Sequence, residues 1–204
     1  GSPRSVDRRV EPRGYTYGPT SFQQLIPELY EKALDAAQAF LSPGPADLFL
    51  DLYCGTGFGL ARWRRFSERV IGVELSGESI SCAKQNAPGA LVYRGACRHR
   101  LPQLTAALEA PHKRRLLFAN PPRSGLEPEV RQWIGGVFQP ERLAYLSCSA
   151  GTLKRDLLEL TGRGYRAEAL IPYDFFPQTH HVEALALLRR TGPAADYTNR
   201  PVSA

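Results

Sequence analysis

Cys148 ends the apolar run Ala144-Tyr145-Leu146-Ser147 and is followed at once by a helical pattern. A thiolate is a strong nucleophile, and in α/β proteins the carboxyl ends of strands form the lip of the ligand crevice. Cys148 is therefore a candidate nucleophile, against the ordinary alternative of a small buried apolar residue. Glu183 opens a later apolar run, after Phe175-Phe176-Pro177-Gln178-Thr179-His180-His181-Val182. A partly desolvated carboxylate there takes a raised pKa, which suits a general base. His180 and His181 are adjacent, so in a strand they point to opposite faces and do not form a chelating pair. Structural hydrogen bonds are their expected role.

Asn120-Pro121-Pro122-Arg123 follows another apolar run. The prolines stiffen the loop and hold the carboxamide, with its one acceptor and two donors, toward the crevice. That set pairs with O4 and N3–H of uracil. Turned over it pairs with cytosine, and it also suits an amino group about to be methylated. Arg123 is a candidate substrate contact, and a plain β-turn is the alternative for the whole segment. Nearer the start stands Asp51-Leu52-Tyr53-Cys54-Gly55-Thr56-Gly57. Gly55 and Gly57 let backbone amides approach a ligand closely. Glu74 ends Ile71-Gly72-Val73-Glu74, where a carboxylate can accept both ribose hydroxyls of a nucleoside. No third glycine falls at dinucleotide spacing and no Walker lysine follows. The pattern suits an adenosine cofactor without pyrophosphate, S-adenosylmethionine; a tight turn with a surface Glu is the alternative.

The elements that must position these groups follow from periodicity. Strands are predicted over 48–53, 70–75, 90–93, 115–119 and 142–147, and helices over 27–40, 60–66, 78–86, 101–109, 128–137 and 152–161. Strands over 165–171 and 182–190 leave no room for a helix between them and are expected to pair antiparallel. Repeated βα units with a closing strand pair predict an α/β, Rossmann-like, doubly wound sheet, mostly parallel with an antiparallel C-terminal strand. Residues 1–14 read as a flexible arm or tag remnant, 15–190 as the catalytic domain, and 191–204 as a disordered tail.

The chain has 204 residues, 43% hydrophobic and 23% charged, which suits one domain with a full core. No apolar run approaches the ~18–20 residues of a membrane span, and no signal-peptide pattern opens the chain. Gly1-Ser2 has the look of a cleavage scar and Met is absent, so an excised domain is expected. Cys54, Cys82, Cys97 and Cys148 form no CxxC pair and no zinc spacing with His. They read as free thiols in a reducing, cytoplasmic compartment, with no metal. The net charge is +6, and basic residues cluster in Arg4, Arg8, Arg9 and Arg13, in Arg62, Arg64, Arg65 and Arg69, in Arg94, Arg98 and Arg100, and in Lys113, Arg114 and Arg115. Such a surface suits RNA, where counterion release drives phosphate binding; a solvated surface is the plainer alternative.

Together these segments resemble the S-adenosylmethionine-dependent RNA 5-methyluridine methyltransferases, across roughly residues 15–190. Ser147-Cys148, Thr152-Leu153, Arg155-Asp156-Leu157 and Phe176-Pro177-Gln178-Thr179 with Val182-Glu183 match the family pattern in chain order, and Ser21-Phe22-Gln23-Gln24 is similar to its S-F-F-Q. The resemblance implies Cys148 as nucleophile at C6 of uridine and Glu183 as base at C5. It places Asn120 at the junction of cofactor and uracil, with Gln24, Tyr53 and Glu74 lining the cofactor pocket. A lean toward the ribosomal-RNA branch rests on Lys154-Arg155-Asp156 and Phe176-Pro177-Gln178. Four departures stand out. Asn120 replaces the family's Asp. Phe58 follows Gly57 directly, so a cofactor-contacting Asn is missing. Gly95-Ala96-Cys97 lacks the acidic or amide residue often near the adenine. The usual N-terminal RNA-binding region is absent, so RNA binding falls to the basic surface, a separate domain or a partner. Two other functions remain open: a non-catalytic RNA-binding paralogue, and an amino-group methyltransferase of the Asn-Pro-Pro type.

Overall fold

A computed structural model of the protein describes residues 4–5, 15–21, 24, 26–175 and 182–192. In chain order its elements are β1 (Arg4–Ser5), β2 (Thr16–Tyr17), α1 (Pro27–Leu41), β3 (Leu48–Leu52), α2 (Phe58–Arg64), β4 (Arg69–Glu74), α3 (Gly77–Asn86), β5 (Leu91–Arg94) and α4 (Cys97–Ala106). There follow β6 (Arg115–Ala119), α5 (Pro128–Trp133), a π-helical turn (Ile134–Phe138), β7 (Arg142–Ser147), α6 (Ala150–Thr161), β8 (Tyr165–Tyr173) and β9 (Glu183–Arg190).

The strands form one seven-stranded sheet in the order β5-β4-β3-β6-β7-β9-β8. From β5 to β7 every neighbouring pair is parallel, while β9 runs antiparallel to both β7 and β8. This is the expected mostly parallel, doubly wound sheet. Strand alternation divides its core: Leu48, Leu50 and Leu52 of β3 pack on one face, and Phe49 packs on the other with Trp63 of α2 and Leu34 of α1. The chain leaves β3 toward β4 and β5, then returns to start β6 on the other side. The switch point between β3 and β6 opens a crevice at their carboxyl ends. Because β9 is reversed, its first residue, Glu183, lies at that same rim.

Several local boundaries differ from the periodic reading. The helix predicted at 101–109 begins at Cys97 and carries Pro102 inside it. The helix predicted at 128–137 is α up to Trp133 and then widens to a π turn through Gly135 and Gly136, ending at Gln139 in the left-handed region (φ 47°). The helix predicted to begin at 60 starts at Phe58, directly after Gly57. Within the expected N-terminal arm, Arg4–Ser5 pairs antiparallel with Thr16–Tyr17; the other residues of 1–14 lie outside the described residues. Of the expected tail, Thr191 and Gly192 are described, and the Thr191 N–H donates to the Gly164 carbonyl at 2.8 Å.

Candidate active site

The strand order sets the order of chemistry along the rim. Gly95 follows β5, Glu74 ends β4, Tyr53 and Gly55 follow β3, Asn120 follows β6, Cys148 follows β7 and Glu183 begins β9. All of them line one cleft of about 990 Å³, together with Gln24, Tyr30 and Arg123. That volume accommodates a nucleoside cofactor and a base together. Gly57 is the exception among the predicted site residues. It lies outside the lining, and its backbone passes so close to α3 that an added Cβ would sit 2.8 Å from the Ala83 Cα. Its φ of +85° also favours glycine. Packing against α3 and the turn therefore both require glycine at position 57.

Gly55, by contrast, faces open space, with no atom within 4 Å of the point where a Cβ would sit. Its N–H donates to Glu74 Oε2 at 3.0 Å, and the Ser76 N–H donates to Glu74 Oε1 at 2.8 Å. These bonds fix the carboxylate and leave lone pairs on both oxygens for hydroxyl donors. Leu75 lines the cleft beside it at 67% exposure, an apolar side chain left open that suits the face of a flat base.

Gln24 reaches the cleft because the segment before it is tied to the sheet. Tyr15 donates its hydroxyl to the Gly57 carbonyl at 3.0 Å, and the Thr20 N–H donates to Glu78 of α3 at 2.8 Å. Asn86 accepts from the Thr16 N–H and donates to the Thr16 and Thr56 carbonyls. Gln24 Oε1 is buried with no hydrogen-bond partner. An unpaired buried acceptor in a ligand cleft is a group in need of a donor. Phe58 fills the place where the glycine loop lacks the expected Asn, packing its ring against Tyr15 at 5.2 Å and Tyr30 at 5.7 Å.

Tyr30 of α1 stands near Asn120 in the same cleft. It carries no motif, so only the packing of α1 over the rim reveals it. The Asn120 carboxamide offers a ligand one acceptor and two donors. Beneath the glycine loop, Asp51 is 2% exposed on the Phe49 face of β3 and accepts from Trp63 Nε1 at 2.9 Å. Burial pushes its carboxyl up to about 8, partly opposed by that bond.

Residues 120–126 are bound to α6, the helix that follows Cys148. Thr152 Oγ1 donates to the Arg123 carbonyl at 3.1 Å, and Arg155 Nη2 to the Ser124 carbonyl at 2.8 Å. Asp156, fully buried, accepts from the Leu126 N–H at 2.9 Å and from the Tyr145 hydroxyl at 2.8 Å, and pairs with Arg131 at 3.2 Å. Gly125 turns here at φ +75°, where a Cβ would meet Asp156 Oδ2 at 2.5 Å. The Thr152, Arg155 and Asp156 positions of the motif thus hold the loop carrying Asn120 and Arg123 against the Cys148 strand. Sequence spacing alone assigns these residues no such role.

Cys148 is half-buried, and its thiol pKa is raised by burial and then by the Glu183 charge; the Arg123 guanidinium opposes both. Glu183 is 3% exposed, and its Oε2 is buried without a hydrogen-bond partner. Burial pushes its carboxyl up to about 7, near the range of a neutral-pH base. The cleft thus brings together a thiol with a guanidinium near it, a buried carboxyl and a carboxamide at the switch point. His180 and His181 lie outside the described residues. Among the described residues no cluster of His, Cys, Asp and Glu could hold a metal ion, and no helix is long and apolar enough to cross a membrane.

The family model for tRNA (uracil-5-)-methyltransferase matches residues 102–191, which include Asn120, Cys148 and Glu183. Over that stretch the chain is similar to the RNA uracil-C5 methyltransferases. An RNA methyltransferase of Chlorobaculum tepidum, itself uncharacterised, is 32% identical over 189 residues, covering 91% of this chain and 39% of its own length. The 23S rRNA (uracil(1939)-C(5))-methyltransferase RlmD of a Shewanella species is 34% identical over 179 residues, covering 86% of this chain and 39% of its own. The chain thus spans about two fifths of the length of these family members. The crystal structure of Pyrococcus abyssi tRNA (uracil-54, C5)-methyltransferase in complex with S-adenosyl-L-homocysteine superposes with a TM-score of 0.65 at 25% identity, covering 85% of this chain and 41% of the other.

Proposed function

We propose that this domain methylates C5 of a uridine in RNA, with S-adenosylmethionine as methyl donor. The observation that carries the reading is the placement of Cys148 and Glu183 side by side at the rim, with Asn120 in the same cleft. Similarity to that family supports it. The cleft residues fit the cofactor: Glu74 would hold its ribose hydroxyls, Gly55 admits its close approach, and the orphaned Gln24 acceptor would take an ammonium donor. When bound, the cofactor supplies an electrophilic methyl group.

The protein's residues supply the rest. Uracil C5 is a weak nucleophile until sulfur adds at C6. Cys148 forms that S–C6 bond, and the electron pair moves toward C5 and O4. Asn120 holds the O4 and N3 edge with a donor and the acceptor of its carboxamide. Once C5 carries its methyl group, Glu183 takes the C5 proton. The electron pair released restores the C5–C6 double bond and expels the Cys148 thiolate. Adduct formation also removes the thiolate charge facing Glu183, which favours the ionised base when it is needed. The uridine must leave its stack to enter, at a cost of roughly a few kcal/mol. Ribosomal RNA is the first substrate to test, and the remaining length of the relatives is where a separate RNA-binding domain or partner would lie.

The test uses RNA containing 5-fluorouridine with S-adenosylmethionine. Fluorine at C5 removes the proton Glu183 would take, so a Cys148–RNA adduct should persist on a denaturing gel. Identical behaviour of the wild type and Cys148→Ala would overturn the covalent mechanism. Calorimetric titration with S-adenosylmethionine separates catalysis from a purely RNA-binding role: absence of binding at millimolar cofactor excludes the enzyme in this domain.

A further inference from the structure

We infer that Glu127 is the acceptor for the exocyclic amine of the cofactor's adenine, in place of a residue after β5. The inference rests on the cofactor reading above and assigns a specificity residue within it.

The rim order fixes the direction of the cofactor. With the ribose on Glu74 at the end of β4 and the methyl acceptor toward Asn120 and Cys148, the base points to the loop after β5. That loop offers an amine no side-chain acceptor. Gly95 and Ala96 have no polar side chain, Cys97 is only 1% exposed, and Arg98 is a donor alone. A donor taken into a cleft without an acceptor costs most of its hydrogen-bond energy. An acceptor does stand across the cleft. Glu127 precedes α5 at its N-cap position, yet its side chain makes no cap hydrogen bond and lines the cleft instead. The Tyr53 hydroxyl donates to Glu127 Oε2, and Cys97 of α4 lines the cleft near both residues. Tyr53 thereby sets Glu127 beside the first turn of α4, where the base would end. A carboxylate has about four lone-pair sites. The Tyr53 bond occupies one, and among the described residues Glu127 accepts no other hydrogen bond through its side chain.

The test compares S-adenosylhomocysteine with its analogue in which hydrogen replaces the adenine amine, both titrated calorimetrically into the protein. The wild type should bind the parent compound on the order of tenfold more tightly than the analogue. Glu127→Ala should bind the two alike, while Glu127→Gln, whose carbonyl still accepts, should keep a preference for the parent. Equal affinities in the wild type overturn the assignment without any variant, and so does an undiminished preference in Glu127→Ala. If the wild type binds neither compound, the cofactor reading itself fails and this assignment fails with it.

Discussion

Cys148 follows Ser147, the last paired residue of β7, and Glu183 precedes Ala184, its partner on β9, so both stand at one end of the β7–β9 ladder. In an antiparallel pair, opposite residues project to one side, so a thiol that ends one strand and a carboxylate that begins the next share a site. Their separation in sequence is irrelevant to this contact. Reversing β9 is what achieves it, since a parallel strand would bring its end, rather than its start, to the rim.

The pH profile should report Glu183. As a base it works ionised, and burial places its pKa near 7. Single-turnover methylation is therefore expected to rise as pH passes through about 7, on top of a further rise as Cys148 ionises. Glu183→Gln should lose about 10²–10⁴-fold in rate and accumulate the methylated covalent adduct. A Glu183→Gln variant that releases methylated RNA at the wild-type rate, with no adduct, would remove Glu183 from the reaction.

Arg123 opposes the burial and the Glu183 charge that raise the Cys148 thiol pKa. Arg123→Ala should raise that pKa further and slow iodoacetamide alkylation of Cys148 near neutral pH, by roughly tenfold for each pKa unit gained. Peptide mapping by mass spectrometry follows Cys148 separately from the buried Cys54, Cys82 and Cys97. Unchanged alkylation would show that Arg123 has no hold on the thiolate.

Asp156 carries the loop of residues 120–126. Asp156→Ala would leave buried Arg131 with Glu159 as its remaining carboxylate partner and release the Leu126 N–H and the Tyr145 hydroxyl. A loss of about 3–5 kcal/mol in urea unfolding is expected, as for other broken buried ion pairs. A loss below about 1 kcal/mol, the range of exposed pairs, would contradict this role.

The two loop glycines should separate in their effects. Gly57→Ala meets Ala83 and a φ of +85°, and should cost roughly 1–3 kcal/mol of stability. Gly55→Ala meets open space at φ +54°, so its strain is limited to about 1–2 kcal/mol. Its methyl group points into free volume at the ligand cleft, and S-adenosylhomocysteine affinity should fall. Thermal melts and calorimetry on both variants check the contrast.

The site is readable in sequence to different depths. Cys148, Asn120 and Glu74 each end an apolar run, and a strand followed by a helix leaves its last side chain at a rim whatever the strand order. Glu183 is equally visible, because it begins an apolar run. Tyr30 and Glu127 are not, since each enters the cleft from a helix start with no motif around it. Gly55 and Gly57 look the same in sequence, and only the structure shows that one faces open space and the other packs against α3.

The sequence by itself determined the repeated strand–helix alternation, the closing strand pair and the residue types that end each strand, because periodicity and chain breaks are local. Only the tertiary structure decided which ends are neighbours. The order β5-β4-β3-β6-β7-β9-β8 comes from packing helices on both faces of the sheet. It sets Glu183 beside Cys148, binds Asp156 to the loop before α5, and turns Glu127 toward Tyr53. Such contacts depend on burial and distance between segments remote in the chain, which local sequence patterns do not encode.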